Sequence, residues 1–364
     1  MLLCCGPQDE PDEDNEAGIE FTAEDIGDYI INELRLVDRT LDNVDFLVGD
    51  NCAVNKRMAR LMGKVLVGCA SHRLNLAVDK ILFAQSSYAQ FISKVDFLMK
   101  ELSTLKNGSK LRKQTELLPQ RRNVTRWSSV YNMLTKYLRL EPFLLKCNFN
   151  SEVIEKLLTP LELNELKEMI KTLLYVQKVT KTLQESGMDL HKTRALFDAL
   201  LVRIPHLDTY LSDTAPIIHN RDFERAVTKV QSNDESSLTR AEANSIKHFL
   251  LSNTDDMDND DIDDSNSTED DEDIHFISNV LKEASSRKEA RVASTVTKYR
   301  SMNHIVSQSN ICERLFSHAK IIMTDQRKHM MPYRLEGLLF LNFNKFLWNA
   351  STIQDILRAN DSEI

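Results

Sequence analysis

Two short apolar runs, each stopped by a glycine turn and followed by a helical pattern, constrain this chain most. The first runs from Val44 to Val48, interrupted by Asp45, and stops at Gly49-Asp50. The second is Val65-Leu-Val and stops at Gly68-Cys69. Short runs of β-branched and large apolar residues bounded by turn formers predict buried strands. Asn55 to Met62 and Leu74 to Leu82 then carry helical spacing. Strand–helix–strand–helix is the order that builds an α/β sheet. In such sheets the polar groups at the carboxyl ends of strands face the ligand crevice. Asp50, Cys69 and His72 all fall at those ends. A carboxylate there suits a divalent cation. The competing reading is that Asp50 only caps the next helix, a position where Asp is preferred.

The rest of the chain changes character. Residues 8–18 read as an acidic loop, and Ile19 to Leu36 as a helix with Thr22 as N-cap and Asp25 three residues on. Phe83 to Leu105 is an amphipathic helix with Phe91, Val95, Leu98 and Leu102 in register. Lys106 to Arg126 is a basic segment: Lys106, Lys110, Arg112, Lys113, Arg121, Arg122 and Arg126 stand against one acid, Glu116. It ends in Thr125-Arg126-Trp127-Ser128-Ser129. Basic side chains beside an exposed indole suit a DNA backbone with a base stacked on the ring. The alternative is a solvated basic face whose Trp packs into a helical core. From Val130 the helical pattern continues, and residues 84–290 read as a bundle or array. Within it the acidic stretch 252–273 reads as a disordered loop. The last helix carries Leu335, Leu338, Leu339, Phe340, Leu341, Phe343, Phe346, Leu347 and Trp348. Apolar on so many sides, it needs enclosure by its own domain or by a partner.

Composition closes off several classes. No apolar run is long enough to span a membrane. Six cysteines are scattered without a CxxC pair, so neither a four-ligand zinc site nor a disulfide framework is expected. The formal charge of −9 is concentrated in one place. Asp255 to Asp273 holds twelve acidic residues and no Lys or Arg; without them the charge becomes +3. The remaining body is therefore compatible with a nucleic-acid partner.

Three separated segments together resemble the catalytic core of the hAT superfamily of cut-and-paste DNA transposases. They are Val48-Gly-Asp50-Asn51 with Gly68-Cys69-Ala-Ser-His72-Arg-Leu-Asn75-Leu; Thr125-Arg126-Trp127-Ser128-Ser129; and Cys312-Glu313-Arg314-Leu315-Phe316-Ser317 through Asn344-Lys-Phe-Leu-Trp348. The resemblance implies an α/β-plus-all-α chain. An RNase H-like mixed sheet, with its first part at residues 1–83, is split by a helical insertion at 84–290. It resumes at 291–350 together with a dimerisation region, and a tail at 351–364 follows. It implies that Asp50 and Glu313 are the second and third acidic residues of a DDE triad that shares Mg²⁺, with Cys69 and His72 forming the family's CxxH motif. Trp127, with Arg121, Arg122, Arg126 and Cys69 nearby, would meet DNA. Leu335, Leu338, Leu339, Phe343, Leu347 and Trp348 would carry self-association. DNA and a second copy are then the partners, in the nucleus, with no membrane and no small-molecule substrate.

The chain also departs from that pattern. Met1-Leu-Leu-Cys-Cys is similar to the family's third strand, which would place the first catalytic Asp before Met1. Asp9, Asp12 and Asp14 are poor substitutes, so Mg²⁺ is not expected to bind productively. The sequence reading is thus a transposase-derived DNA-binding, dimerising protein, catalytically defective as written. Two alternatives stay open: the latter part of an active transposase, or a dimerisation module without DNA binding.

Overall fold

The computed structural model describes residues 22–83, 86–122, 127–251, 274–292, 298–324, 327 and 329–361. It is mostly helical, with one small parallel sheet. The elements run α1 (Ala23–Leu36), β1 (Phe46–Gly49), α2 (Ala53–Leu61), β2 (Val65–Gly68), α3 (Ala70–Ala77), α4 (Ser86–Leu102), α5 (Leu105–Arg112) and α6 (Trp127–Leu144). They continue with α7 (Ser151–Glu155), α8 (Pro160–Leu183), α9 (Leu190–Arg203), α10 (Asp208–Leu211), α11 (Arg221–Gln231) and α12 (Arg240–Ser245). Last come α13 (Ile274–Val292), α14 (Asn310–Ile322), α15 (Pro332–Phe343) and α16 (Ala350–Asp361). Two compact units result: Met1–Leu66 with Ser309–Ile364, and Val67–Gln308.

In the first unit, α1 starts where the sequence places a cap. Thr22 Oγ1 accepts from the Asp25 N–H at 3.2 Å, and Asp25 Oδ2 accepts from the Thr22 N–H at 2.8 Å. Both orphan donors of the first turn are thereby satisfied. Ile26 and Ile30 of α1 meet Met58 and Met62 at the end of α2, with Leu41 and Leu47 closing the cluster. The end of α2 is set by Gly63, which has φ of 64°. The N–H of Lys64 reaches Ala59 O and that of Gly63 reaches Arg60 O, a Schellman end that turns the chain into β2. The strand–helix–strand grammar read from the sequence is therefore present, and β1 and β2 pair in parallel. The segment expected as a further strand, Met1 to Cys5, lies outside the described residues, as does the acidic stretch 252–273.

The second unit is a helical body around one large apolar core. Phe91, Val95, Leu98 and Leu102 of α4 are all buried in it, as the spacing predicts. Leu166, Met169, Leu173, Val176, Val179 and Leu183 form a continuous buried stripe along α8. That helix begins with Pro160 at its first turn and a Thr159–Glu162 capping box. Pro fits there because the missing N–H would have had no intrahelical partner.

Into this core the chain inserts an ion pair. Arg73 and Glu224 side chains are 5% and 9% exposed, and Arg73 Nη1 lies 3.3 Å from Glu224 Oε2. Arg73 Nε and Nη2 donate to Tyr210 O at 3.2 and 3.1 Å, and Nη2 also donates to Ser212 O at 3.3 Å. Glu224 Oε1 accepts from the Gly68 N–H at 3.3 Å. The pair thus joins the end of β2, α3, the α10 turn and α11. Burial pushes the Glu224 carboxyl up and the Arg73 guanidinium down, each partly offset by its partner. Removing one member strands the other as a buried charge. Arg73→Met and Glu224→Ala should each lower unfolding stability by about 3–5 kcal/mol. The double variant should lose less than their sum, as read from denaturant midpoints of all three proteins.

Candidate functional site

Asp50 sits just past β1 and is half-buried. Its Oδ1 accepts from the Cys52 N–H at 3.1 Å and from Asn55 Nδ2 at 2.9 Å. Asp50 is therefore not the cap of α2. That position belongs to Cys52, whose Sγ accepts from the Asn55 N–H at 3.4 Å. The carboxylate is instead held by a local turn and by the first turn of the following helix. Gly49 makes room for this arrangement: a Cβ there would come within 3.1 Å of Asn55 Nδ2. The sequence signal for Asn55 is its place five residues after Asp50, across a strand-to-helix turn. Asn51, the next residue, has a side-chain amide whose N and O are both buried without hydrogen-bond partners.

Glu313 lies in the first turn of α14 and is exposed. It belongs to the same unit as Asp50. Cys69 and His72 belong to the helical unit. Cys69 is the buried N-terminal flank of α3, and His72 is half-buried one turn later. Cys69, like Cys52, Cys147 and Cys312, forms no disulfide among the described residues. Among the described residues no three His, Cys, Asp or Glu side chains come together as a metal-holding group. Asp50 Oδ1 is already engaged by two N–H donors, and a pair of Mg²⁺ ions needs several converging carboxylates. Among the described residues, Asp50 and Glu313 are thus not joined in a group of three metal-ligating side chains.

The basic segment is a different kind of surface. Lys106, Arg112 and Lys113 on and just after α5 are exposed, as are Arg121 and Arg122 on the irregular stretch that follows. Arg122 Nε reaches Asp96 Oδ2 of α4 at 3.3 Å, which neutralises part of its charge. Arg126 lies outside the described residues. Trp127 opens α6 and is 5% exposed, packed in the main core with its ring edge-on to Tyr131 at 6.4 Å. Its backbone N–H donates to Asn75 Oδ1 at 3.5 Å. The indole face is thus not presented to a base, and the core-packing alternative describes its position. The sequence could not separate these readings, because the residues that cover Trp127 come from elsewhere in the chain.

The carboxy-terminal helices hold the third group. Leu339 is buried in its own unit, while Leu335, Phe343 and Trp348 are half-buried. The helix expected to run through Trp348 instead ends at Phe343 and passes into a tight turn at Lys345–Leu347. Trp348 Nε1 folds back to donate to Leu341 O at 3.0 Å, using a carbonyl near the helix end. His318 of α14 packs edge-on against Phe343 of α15 at 5.4 Å. Around this contact Leu338 is 42% and Leu347 48% exposed. Ile311, Phe316, Ile321, Leu341 and Phe346 are exposed as well. No helix of the structure is long and apolar enough to cross a membrane among the described residues.

No family model matches the chain, and no curated protein matches it.

Trp127→Ala should behave as a core truncation, lowering stability by about 3–5 kcal/mol. Arg122→Ala, on the surface, should stay within about 1 kcal/mol of the parent. Urea melts of both variants check this. Equal melts for parent and Trp127→Ala would put the indole outside the core.

Proposed function

We propose that this protein descends from a cut-and-paste DNA transposase of the hAT superfamily and works as a nuclear, DNA-binding, self-associating protein rather than as a nuclease. The observation that carries the reading is the exposed basic segment on and after α5, where Lys106, Arg112, Lys113, Arg121 and Arg122 face solvent beside a single Glu116. A run of exposed cations with few interleaved acids is the footprint of phosphate binding. In this reading β1, α2 and β2 are a remnant of an RNase H-like sheet, and the helical unit is the insertion that split it. Asp50 and Glu313 are then inherited positions whose cleavage chemistry is not retained.

Self-association rests on the carboxy-terminal helices. A monomer rarely exposes so many large apolar side chains together, and such surfaces mark interaction sites. Leu338, Leu341 and Leu347 supply the apolar centre. Arg334 and Lys345, close to these leucines along the chain, are exposed as well.

Two measurements test the two halves separately. Duplex DNA binding should weaken steeply with salt, and the Arg121→Ala/Arg122→Ala double variant should flatten the log–log salt slope by roughly two. An unchanged slope would remove the basic segment from the contact. Leu338→Asp with Leu341→Asp should convert the oligomer to monomer by light scattering while the far-ultraviolet circular dichroism stays helical. A mass that still reads as the oligomer would count against this surface.

A further inference from the structure

We propose that Ser109 is a phosphorylation site for a basic-directed protein kinase, and that its phosphate is captured by Lys106, Arg112 and Lys113 and so withdraws those cations from DNA. The consequence rests on the DNA-binding reading of the same segment; the modification itself does not. Four hydroxyl side chains stand between residues 103 and 122. Three of them are engaged. Ser103 Oγ donates to Met99 O at 2.7 Å, Thr104 Oγ1 donates to Glu101 O at 2.7 Å, and Thr115 Oγ1 accepts from the Leu117 N–H at 3.1 Å. Ser109 is the fourth, exposed on α5 and without a side-chain hydrogen bond among the described residues.

On a helix, residues three and four apart are surface neighbours. Lys106 lies three residues before Ser109, Arg112 three after and Lys113 four after. All three are exposed, and none pairs with a carboxylate among the described residues. Arg112 Nε donates to Gly108 O at 3.3 Å, which lays the guanidinium back along α5 over the turn that holds Ser109. Lys110 is engaged elsewhere, with Nζ on Asn148 O. A kinase that selects substrates by charge meets here a hydroxyl with cations on both sides and no acid between Lys106 and Lys113. α5 is only eight residues long and holds Gly108 in its interior, so little helix has to open for the hydroxyl to enter an active site. Ser109 Oγ attacks the γ-phosphorus of ATP, the new O–P bond replaces the bond to ADP, which leaves, and the hydroxyl proton passes to the kinase's general base. The product carries about −1.5 to −2 charges and three acceptor oxygens, which suit ammonium and guanidinium donors. It occupies the cations that a DNA phosphate would need.

The full chain is incubated with a basic-directed protein kinase and ATP, and the modified sites are mapped by peptide mass spectrometry. Phosphate on Ser109, lost in Ser109→Ala, is the expected result, and its absence from Ser109 would overturn the assignment. The consequence is read on chain in which phosphoserine is incorporated at position 109 during synthesis. Duplex DNA should bind it about ten- to hundredfold more weakly than the parent at about 0.1 M salt, with a log–log salt slope flatter by roughly two. Unmodified Ser109→Ala should bind as the parent does. Equal affinity of the phosphorylated and parent chains would overturn the switch. Capture is read without DNA, by phosphorus NMR. The second ionisation of the phosphate should fall below its usual value of about 6 and return toward it when Lys106→Ala and Lys113→Ala are combined. An ordinary value with both lysines present would overturn capture. If the parent chain itself binds no DNA, the DNA-binding reading falls, while the mass spectrum and the phosphorus titration still decide the site.

Discussion

Arg73 and Glu224 place a pair of opposite charges inside the helical unit, and the packing around them follows from the need to satisfy that charge. Withdrawing two ions from water is expensive, and their attraction offsets the loss only when the remaining hydrogen-bonding sites are filled. Here they are filled by backbone. Arg73 takes the carbonyls of Tyr210 and Ser212, and Glu224 takes the N–H of Gly68. Each of those backbone groups ends or turns an element. The pair therefore fixes where β2 stops, how α3 leaves it, and how the α10 turn and α11 lie against it. A purely apolar contact has no directionality and would not select that arrangement.

The two surfaces that support the proposed function obey different physics and belong to different units. The basic segment works by long-range charge and counterion release, so its partner is reached through phosphate rather than through shape. The carboxy-terminal helices present apolar area, whose value is realised only when another surface covers it. Trp127, which lies next to the basic segment in sequence, takes part in neither. It stabilises the core on which α6 is built. The Asp50 carboxylate is held by the Cys52 N–H and the Asn55 side chain, an arrangement local to the β1–α2 turn.

How much of this could be read in advance depended on how local the signal was. The Thr22 cap, the two strand runs and the helical spacing of Phe91, Val95, Leu98 and Leu102 all express interactions within a few residues. The structure carries each of them. Asp50 illustrates the limit even at short range. An Asp at a strand-to-helix junction predicts a cap, but the helix starts two residues further on, at Ala53, which moves the cap to Cys52 and leaves Asp50 bonded to Asn55.

The sequence by itself determined the element types, their order, the apolar faces and the segregation of charge, because helical and strand periodicity and capping are set by neighbours along the chain. Tertiary structure alone decided that Trp127 is buried and that Arg73 finds Glu224 across 151 residues. It also decided which leucines of α15 face inward. Those outcomes depend on which distant residues arrive to cover a side chain or to pair with it, and no local pattern carries that information.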